Sequence, residues 1–189
     1  MAVGDRETRN RMAKASAGAE IEQLMESWGA DPAPATVAQL DQLSSKIAGV
    51  FGVKTDEVAI LAITGKGMML RFVVPAKLQT VGTIPLSSTT ALVSKTARER
   101  RAEIQNNFAS ARHASVFEGV PLGRTPGETI QKIMSAPILR DGKTAGVIQI
   151  SRKGRTPETA GPDFLPDDLR KLQSLGPPLS KFLEINPAQ

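Results

Sequence analysis

Four consecutive hydroxyl residues, Ser87-Ser88-Thr89-Thr90, stand directly ahead of the apolar Ala91-Leu92-Val93. Two chemistries suit them. A hydroxyl oxygen can accept from the free N–H groups of a helix's first turn, and the same partially positive helix end can draw an anionic ligand towards the hydroxyls. Capping is the simpler reading. His113 is the single histidine, between Arg112 and Ala114. It could be a pocket acceptor, a haem ligand or a pH-sensitive group, against the plainer reading of an exposed loop side chain. A metal site built on several histidines is excluded. Asn106, Asn107, Phe117 and Glu118 bring amide, stacking and carboxylate groups to one irregular stretch, where ordinary loop hydrogen bonding is the plainer alternative. Arg98, Arg100 and Arg101, interleaved with Glu99 and followed by Glu103, could meet a phosphate; a solvated, locally ion-paired face is the simpler expectation.

A catalytic set is harder to assemble. Neither a Gly-X-Ser-X-Gly elbow nor a Gly-X-X-X-X-Gly-Lys-Ser/Thr loop occurs, and the acid pairs Asp56-Glu57 and Asp167-Asp168 fall at a turn and at a helix start. With no cysteine, thiolate nucleophiles, disulfides and Cys-ligated zinc or iron–sulfur sites all drop out. The chain reads as a non-enzyme. Its net charge of +5 is uneven: −2 over residues 1–49, +5 over 50–134 and +2 over 135–189. A nucleic-acid footprint needs cations clustered with stacking aromatics, and aromatics make up only 4% with no tyrosine, so nucleic acid is not the expected partner. The first 18 residues contain no apolar run and no later segment approaches about 18 uninterrupted apolar residues, which leaves no membrane expected and the cytoplasm as the default.

The elements that must hold these groups follow from periodicity. Residues 1–18 are polar and Ala-rich, a flexible or weakly helical arm. Ile21, Leu24, Met25 and Trp28 share a helical face that Gly29 to Pro32 ends. A second amphipathic helix runs from about Ala35 to Ala48, with Gly49 at its end. Val58 to Ile63 and Met68 to Val74 read as a hairpin around Gly65-Lys66-Gly67, and Gln79 to Pro85 as a short strand or loop. A short helix after Thr90 reaches about Ala97, and Ala102 to Ile104 is a brief extended piece. Ala136 to Leu139 and Ala145 to Ile150 flank Asp141-Gly142, the dipeptide of a tight hairpin. In that second run Gln149 alone is polar, so both faces are expected to be covered and the hairpin to be scaffold. A helix over residues 163–175 carries Leu169, Leu172 and Leu175. Gly176-Pro177-Pro178 should then stop or bend it, because proline in a helix interior costs about 3 kcal/mol or more. Leu179, Phe182 and Leu183 should fold back on the sheet or on residues 19–48.

Three stretches in this order resemble the GAF domain family. The first is Ile84-Pro85-Leu86-Ser87-Ser88-Thr89-Thr90-Ala91-Leu92-Val93-Ser94-Lys95-Thr96. The second is Ala136-Pro137-Ile138-Leu139, the Arg140 to Thr144 turn, and Ala145-Gly146-Val147-Ile148-Gln149-Ile150. The third is Asp163-Phe164-Leu165-Pro166-Asp167-Asp168-Leu169. The resemblance covers about residues 35–184. It implies an α+β fold with an antiparallel sheet of about six strands, helices packed on one face after N-terminal helices, and a pocket on the other face beneath loops. One domain over residues 19–184, with a 185–189 tail, is the expected organisation. The same resemblance implies a small-molecule site drawn from Phe72, Ser88, Thr89, Asn107, His113, Phe117 and Glu118.

Members bind cyclic nucleotides, tetrapyrroles, haem or small metabolites, and many chiefly dimerise. The absence of cysteine sets this chain apart from members carrying a thioether-linked bilin and from the free methionine sulfoxide reductases. An Asn-Lys-Phe-Asp-Glu motif of the cyclic-nucleotide phosphodiesterase type is also absent. No cofactor is therefore assigned. The expected function is a non-catalytic sensory module that binds a small molecule or a protein and signals to a separate output polypeptide, with a homodimer formed through the flanking helices. The alternative is a ligand-free dimerisation or adaptor module.

Overall fold

The computed structural model describes residues 16–29, 33–64, 66–108 and 127–187. Its organising element is a six-stranded sheet in the order β3-β2-β1-β6-β5-β4, antiparallel throughout. In chain order the strands are β1 (Val58–Thr64), β2 (Met69–Val74), β3 (Thr83–Pro85), β4 (Glu103–Gln105), β5 (Thr129–Arg140) and β6 (Lys143–Gly154). The helices are α1 (Ala17–Glu26), α2 (Val37–Phe51), α3 (Leu92–Glu99), α4 (Pro166–Ser174) and α5 (Gly176–Ile185).

The β5–β6 hairpin turns at Asp141 and Gly142, whose φ values of 50° and 73° are the paired positive angles of a two-residue hairpin turn. Both strands are 12 residues long, extending beyond the apolar runs that marked them in the sequence. The added length is rich in polar side chains that are nonetheless buried, among them Gln131, Lys132 and Ser151. Such residues hide a strand from a hydrophobicity pattern. Gly146 of β6 pairs with Ala62 of β1, and a Cβ at this glycine would overlap the Leu61 carbonyl oxygen.

Four helices cover one face. Ile21 of α1, Leu43 and Ile47 of α2, Leu172 of α4 and Leu179 of α5 meet Ile60, Met134, Ile138, Ile148 and Ile150 of the sheet in one fully buried cluster. Thr36 and Gln39 form a reciprocal capping box at the start of α2: Thr36 Oγ1 accepts from the Gln39 N–H at 3.3 Å, and Gln39 Oε1 accepts from the Thr36 N–H at 2.8 Å. That helix ends at Gly52, left-handed at φ 61°, three residues past the expected Gly49, and so carries Phe51 into the core. The first helix likewise begins earlier than expected. Ser16 caps it, and Gly18 is buried where its missing Cβ lets α1 approach the Ser174 carbonyl. The terminal helix divides as the prolines require: α4 ends at Ser174, α5 starts at Gly176, and Pro177 and Pro178 lie in its first turn, where N–H groups have no helical acceptor. Leu179, Phe182 and Leu183 pack in the core, and Asn186 beyond them accepts from the Ala35 N–H at 2.5 Å, so the packed structure reaches past residue 184.

A buried cation also belongs to this side. Lys132 Nζ is 2.7 Å from Asp163 Oδ1 and donates to the Gly161 carbonyl at 2.7 Å, with its side chain only 7% exposed. Asp163 itself is exposed, which screens the pair. Asp163→Asn removes the counter-charge but not the burial, and is expected to cost about 1–3 kcal/mol in urea unfolding. A change below about 0.5 kcal/mol would mean that water serves Lys132 as well as the carboxylate does.

Candidate functional site

The opposite face of the sheet is built differently. Here α3 lies across β5 and β6, and the apolar residues divide into two clusters in place of one. Leu61, Leu70, Phe72, Val93, Ala97 and Val147 form the larger; Leu92, Phe108, Ile130 and Ile133 form the smaller. Strand alternation puts a polar group beside them: Ser135 of β5 stands directly opposite Gln149 of β6, and Ala59 of β1 is the next partner across.

These polar side chains are interior. Ser135 is 0% exposed, Gln149 2% and Thr96 of α3 1%. The Ser135 and Thr96 hydroxyls are 2.7 Å apart, and Gln149 Nε2 donates to Ser135 Oγ at 3.1 Å. The carboxamide oxygen, Gln149 Oε1, is buried with no hydrogen-bond partner. An unmatched buried acceptor forfeits its hydration without compensation, at about 1–3 kcal/mol. Beside it the sheet carries small side chains, Ala59 and Ser151, and Ser151 Oγ donates to the Glu57 carbonyl at 3.3 Å. The arrangement is a narrow polar strip with an acceptor to spare, framed by apolar clusters. Among the described residues it presents no nucleophile paired with a base, and no group of three or more metal-ligating side chains is present.

The expected site residues separate. Phe72 is 2% exposed within the larger cluster of this face. Ser88 Oγ accepts from the Ala91 N–H at 3.1 Å, closing the turn into α3, while Thr89 is exposed. The helix cap is Ala91, so the hydroxyl run serves the approach to the helix and not its first turn. Asn107 is exposed and engaged in its own contacts. His113, Phe117 and Glu118 lie outside the described residues. Asn106 is structural: its amide accepts from the Phe164 N–H at 2.9 Å and donates to the Phe164 carbonyl at 3.1 Å.

The arginine run is also anchored. Arg98 donates to the Leu86 and Ser88 carbonyls, Arg100 to the Gly142 carbonyl at 2.9 Å, and Arg101 lies 3.6 Å from Glu99. Of the acid pairs, Asp56 meets Lys153 at 2.9 Å and Glu57 accepts from the Lys54 and Lys153 backbone N–H groups, while Asp168 accepts from the Leu165 N–H. Lys181, on α5 across the sheet, is held above the ordinary lysine value, chiefly by its hydrogen bond to Glu22 at 2.6 Å.

Sequence reasoning missed Gln149, Ser135 and Thr96. The one signal for them was Gln149 itself, a lone amide in an otherwise apolar strand run.

No protein-family model and no curated protein matches the chain. Solved structures do. It is similar to the GAF domain of an Acinetobacter phosphoenolpyruvate-protein phosphotransferase, with a TM-score of 0.65 at 17% identity over 89% of this chain and 90% of that one. The GAF domain of nlh2 from A. aeolicus, in an inactive state, aligns at 0.61 and 16% identity over 89% and 94%. A free methionine-R-sulfoxide reductase from Neisseria meningitidis, in complex with its substrate, aligns at 0.59 and 14% over 89% of each chain. No helix among the described residues is long and apolar enough to cross a membrane.

Proposed function

We propose that this chain, which has the GAF-domain fold, is a non-catalytic regulatory module that binds a small molecule on the α3 face of its sheet. The observation that carries the reading is the buried, unpartnered Gln149 Oε1 beside Ser135 and Thr96. A leucine there would fill the space without an orphan acceptor, so a carboxamide is explained by a donor that arrives from outside the chain. Ligand recognition by a few fixed polar groups among apolar walls is the usual design of small-molecule sites. The reductase likeness gives the fold alone, and a chain without cysteine cannot run thiol chemistry.

The experiment is Gln149→Leu in ligand-free, dialysed protein. The substitution loses one hydrogen bond, worth about 1 kcal/mol, and removes an unsatisfied acceptor that costs about 1–3 kcal/mol. Stability in denaturant should stay level or rise by about 1–2 kcal/mol, the pattern of a residue kept for binding at the expense of stability. A fall of more than about 2 kcal/mol would make Gln149 a structural residue and remove the support for the site.

The adaptor alternative drew on the apolar stripes of the flanking helices. Of those stripes, Ile21, Leu43, Ile47, Leu172 and Leu179 are spent on the chain's own core at 0% exposure, while Leu24, Met25, Trp28 and Leu169 are half-buried and Val37 is exposed.

A further inference from the structure

On the helix side of the sheet a cavity of about 490 Å³ opens where β3 stops pairing with β2. Leu40 near the start of α2, Arg71 and Val73 of β2, Gln79, and Ile185 and Asn186 at the end of α5 are among its lining residues. Among its described lining residues Arg71 is the one charged group and none carries a carboxylate. Arg71 sits opposite Ala62, a residue of the helix-side core, and its Nε is buried with no hydrogen-bond partner. Among the described arginines, Arg71 is the one whose side chain makes no hydrogen bond or ion pair. Arg140 and Arg152 also bury an Nε, yet their terminal nitrogens are anchored on the Ser180, Phe51 and Gly52 carbonyls.

The amides that share the cavity are partly committed. Asn186 Oδ1 accepts from the Ala35 N–H and Nδ2 donates to the Phe182 carbonyl at 2.9 Å, and Gln79 Nε2 donates to the Val73 carbonyl at 2.9 Å. These bonds fix the walls. Among the described lining residues they leave the guanidinium as the one strong unmatched donor, and the partially positive start of α2 adds to the local potential. A guanidinium answers a planar carboxylate with two parallel hydrogen bonds, and the Leu40, Val73 and Ile185 walls suit an apolar body.

We propose that this cavity is a second binding site, specific for a small carboxylic acid with an apolar body, with Arg71 holding the carboxylate. The site lies across the sheet from Gln149 and stands independently of the reading given for that residue.

The test uses the full chain and three probes: phenylacetate, its uncharged counterpart 2-phenylethanol, and inorganic phosphate. Calorimetry should show saturable phenylacetate binding that weakens about tenfold or more in Arg71→Gln, since hydrogen bonds to a charged group are worth that factor. Arg71→Lys should recover part of the loss, and Gln149→Leu should bind phenylacetate like the unaltered chain. Phenylethanol should bind about tenfold more weakly than phenylacetate. In the unaltered protein, phenylacetate should also shift the Arg71 Nε–H resonance, a reading that does not depend on any variant folding. Absence of saturable binding, an unmoved Arg71 signal, or affinity unchanged by Arg71→Gln would overturn the proposal. Phosphate binding as tight as phenylacetate would overturn the apolar-acid assignment.

Discussion

Gly146→Val is expected to destabilise the chain by about 3 kcal/mol or more, the upper end of overpacking costs. Gly146 lies in β6 opposite Ala62, in the middle of the sheet. A Cβ there meets two atoms: the Leu61 carbonyl oxygen of the neighbouring strand and Leu183 Cδ1 at 2.5 Å. Leu183 can move, because a terminal methyl has other rotamers. The Leu61 carbonyl cannot, because β1 is held by β2 on one side and β6 on the other. The strands must separate, and the ladder hydrogen bonds at this point are lost. For a chain of this length the melting temperature should fall by about 6–12 °C. A loss under about 1 kcal/mol would show that β1 and β6 do not approach as described.

Phe182→Ala should cost about 3–5 kcal/mol, through lost transfer free energy and the cavity left behind. The reason lies in the break ahead of it. Had Gly176-Pro177-Pro178 been absorbed into one straight helix leading away from the domain, Phe182 would stand in solvent and alanine would change little. Because α5 starts anew at Gly176, Phe182 is 2% exposed among the helices and the sheet. Urea unfolding should move the midpoint with little change in slope, the sign of altered stability alone. A cost below about 1 kcal/mol would place Phe182 outside the core.

Local chemistry made the β5–β6 hairpin legible, since Asp141-Gly142 names its turn and flanking aliphatics name its strands. The terminal break was legible for the same reason: proline's missing N–H acts within one turn of chain. Gly146 could be recognised as part of a motif, but the carbonyl that forbids its side chain belongs to Leu61, far away in sequence. The site was lost at that level. Thr96, Ser135 and Gln149 meet only because three elements are in register, with separations of 39 and 14 residues along the hydrogen bonds that join them. Ser88 and Thr89 were drawn by a capping pattern that proved to be a turn. Gly49 looked like a helix end because glycine weakens helices by about 1 kcal/mol, yet packing of Phe51 carries α2 on to Gly52.

Native mass spectrometry of freshly purified chain, run beside Gln149→Leu, tests the central claim most directly. The account predicts that the unaltered chain carries a non-covalent small molecule that Gln149→Leu, folded and at least as stable, has lost. Bare chains in both samples, or the same mass retained by both, would contradict a ligand site built on Gln149.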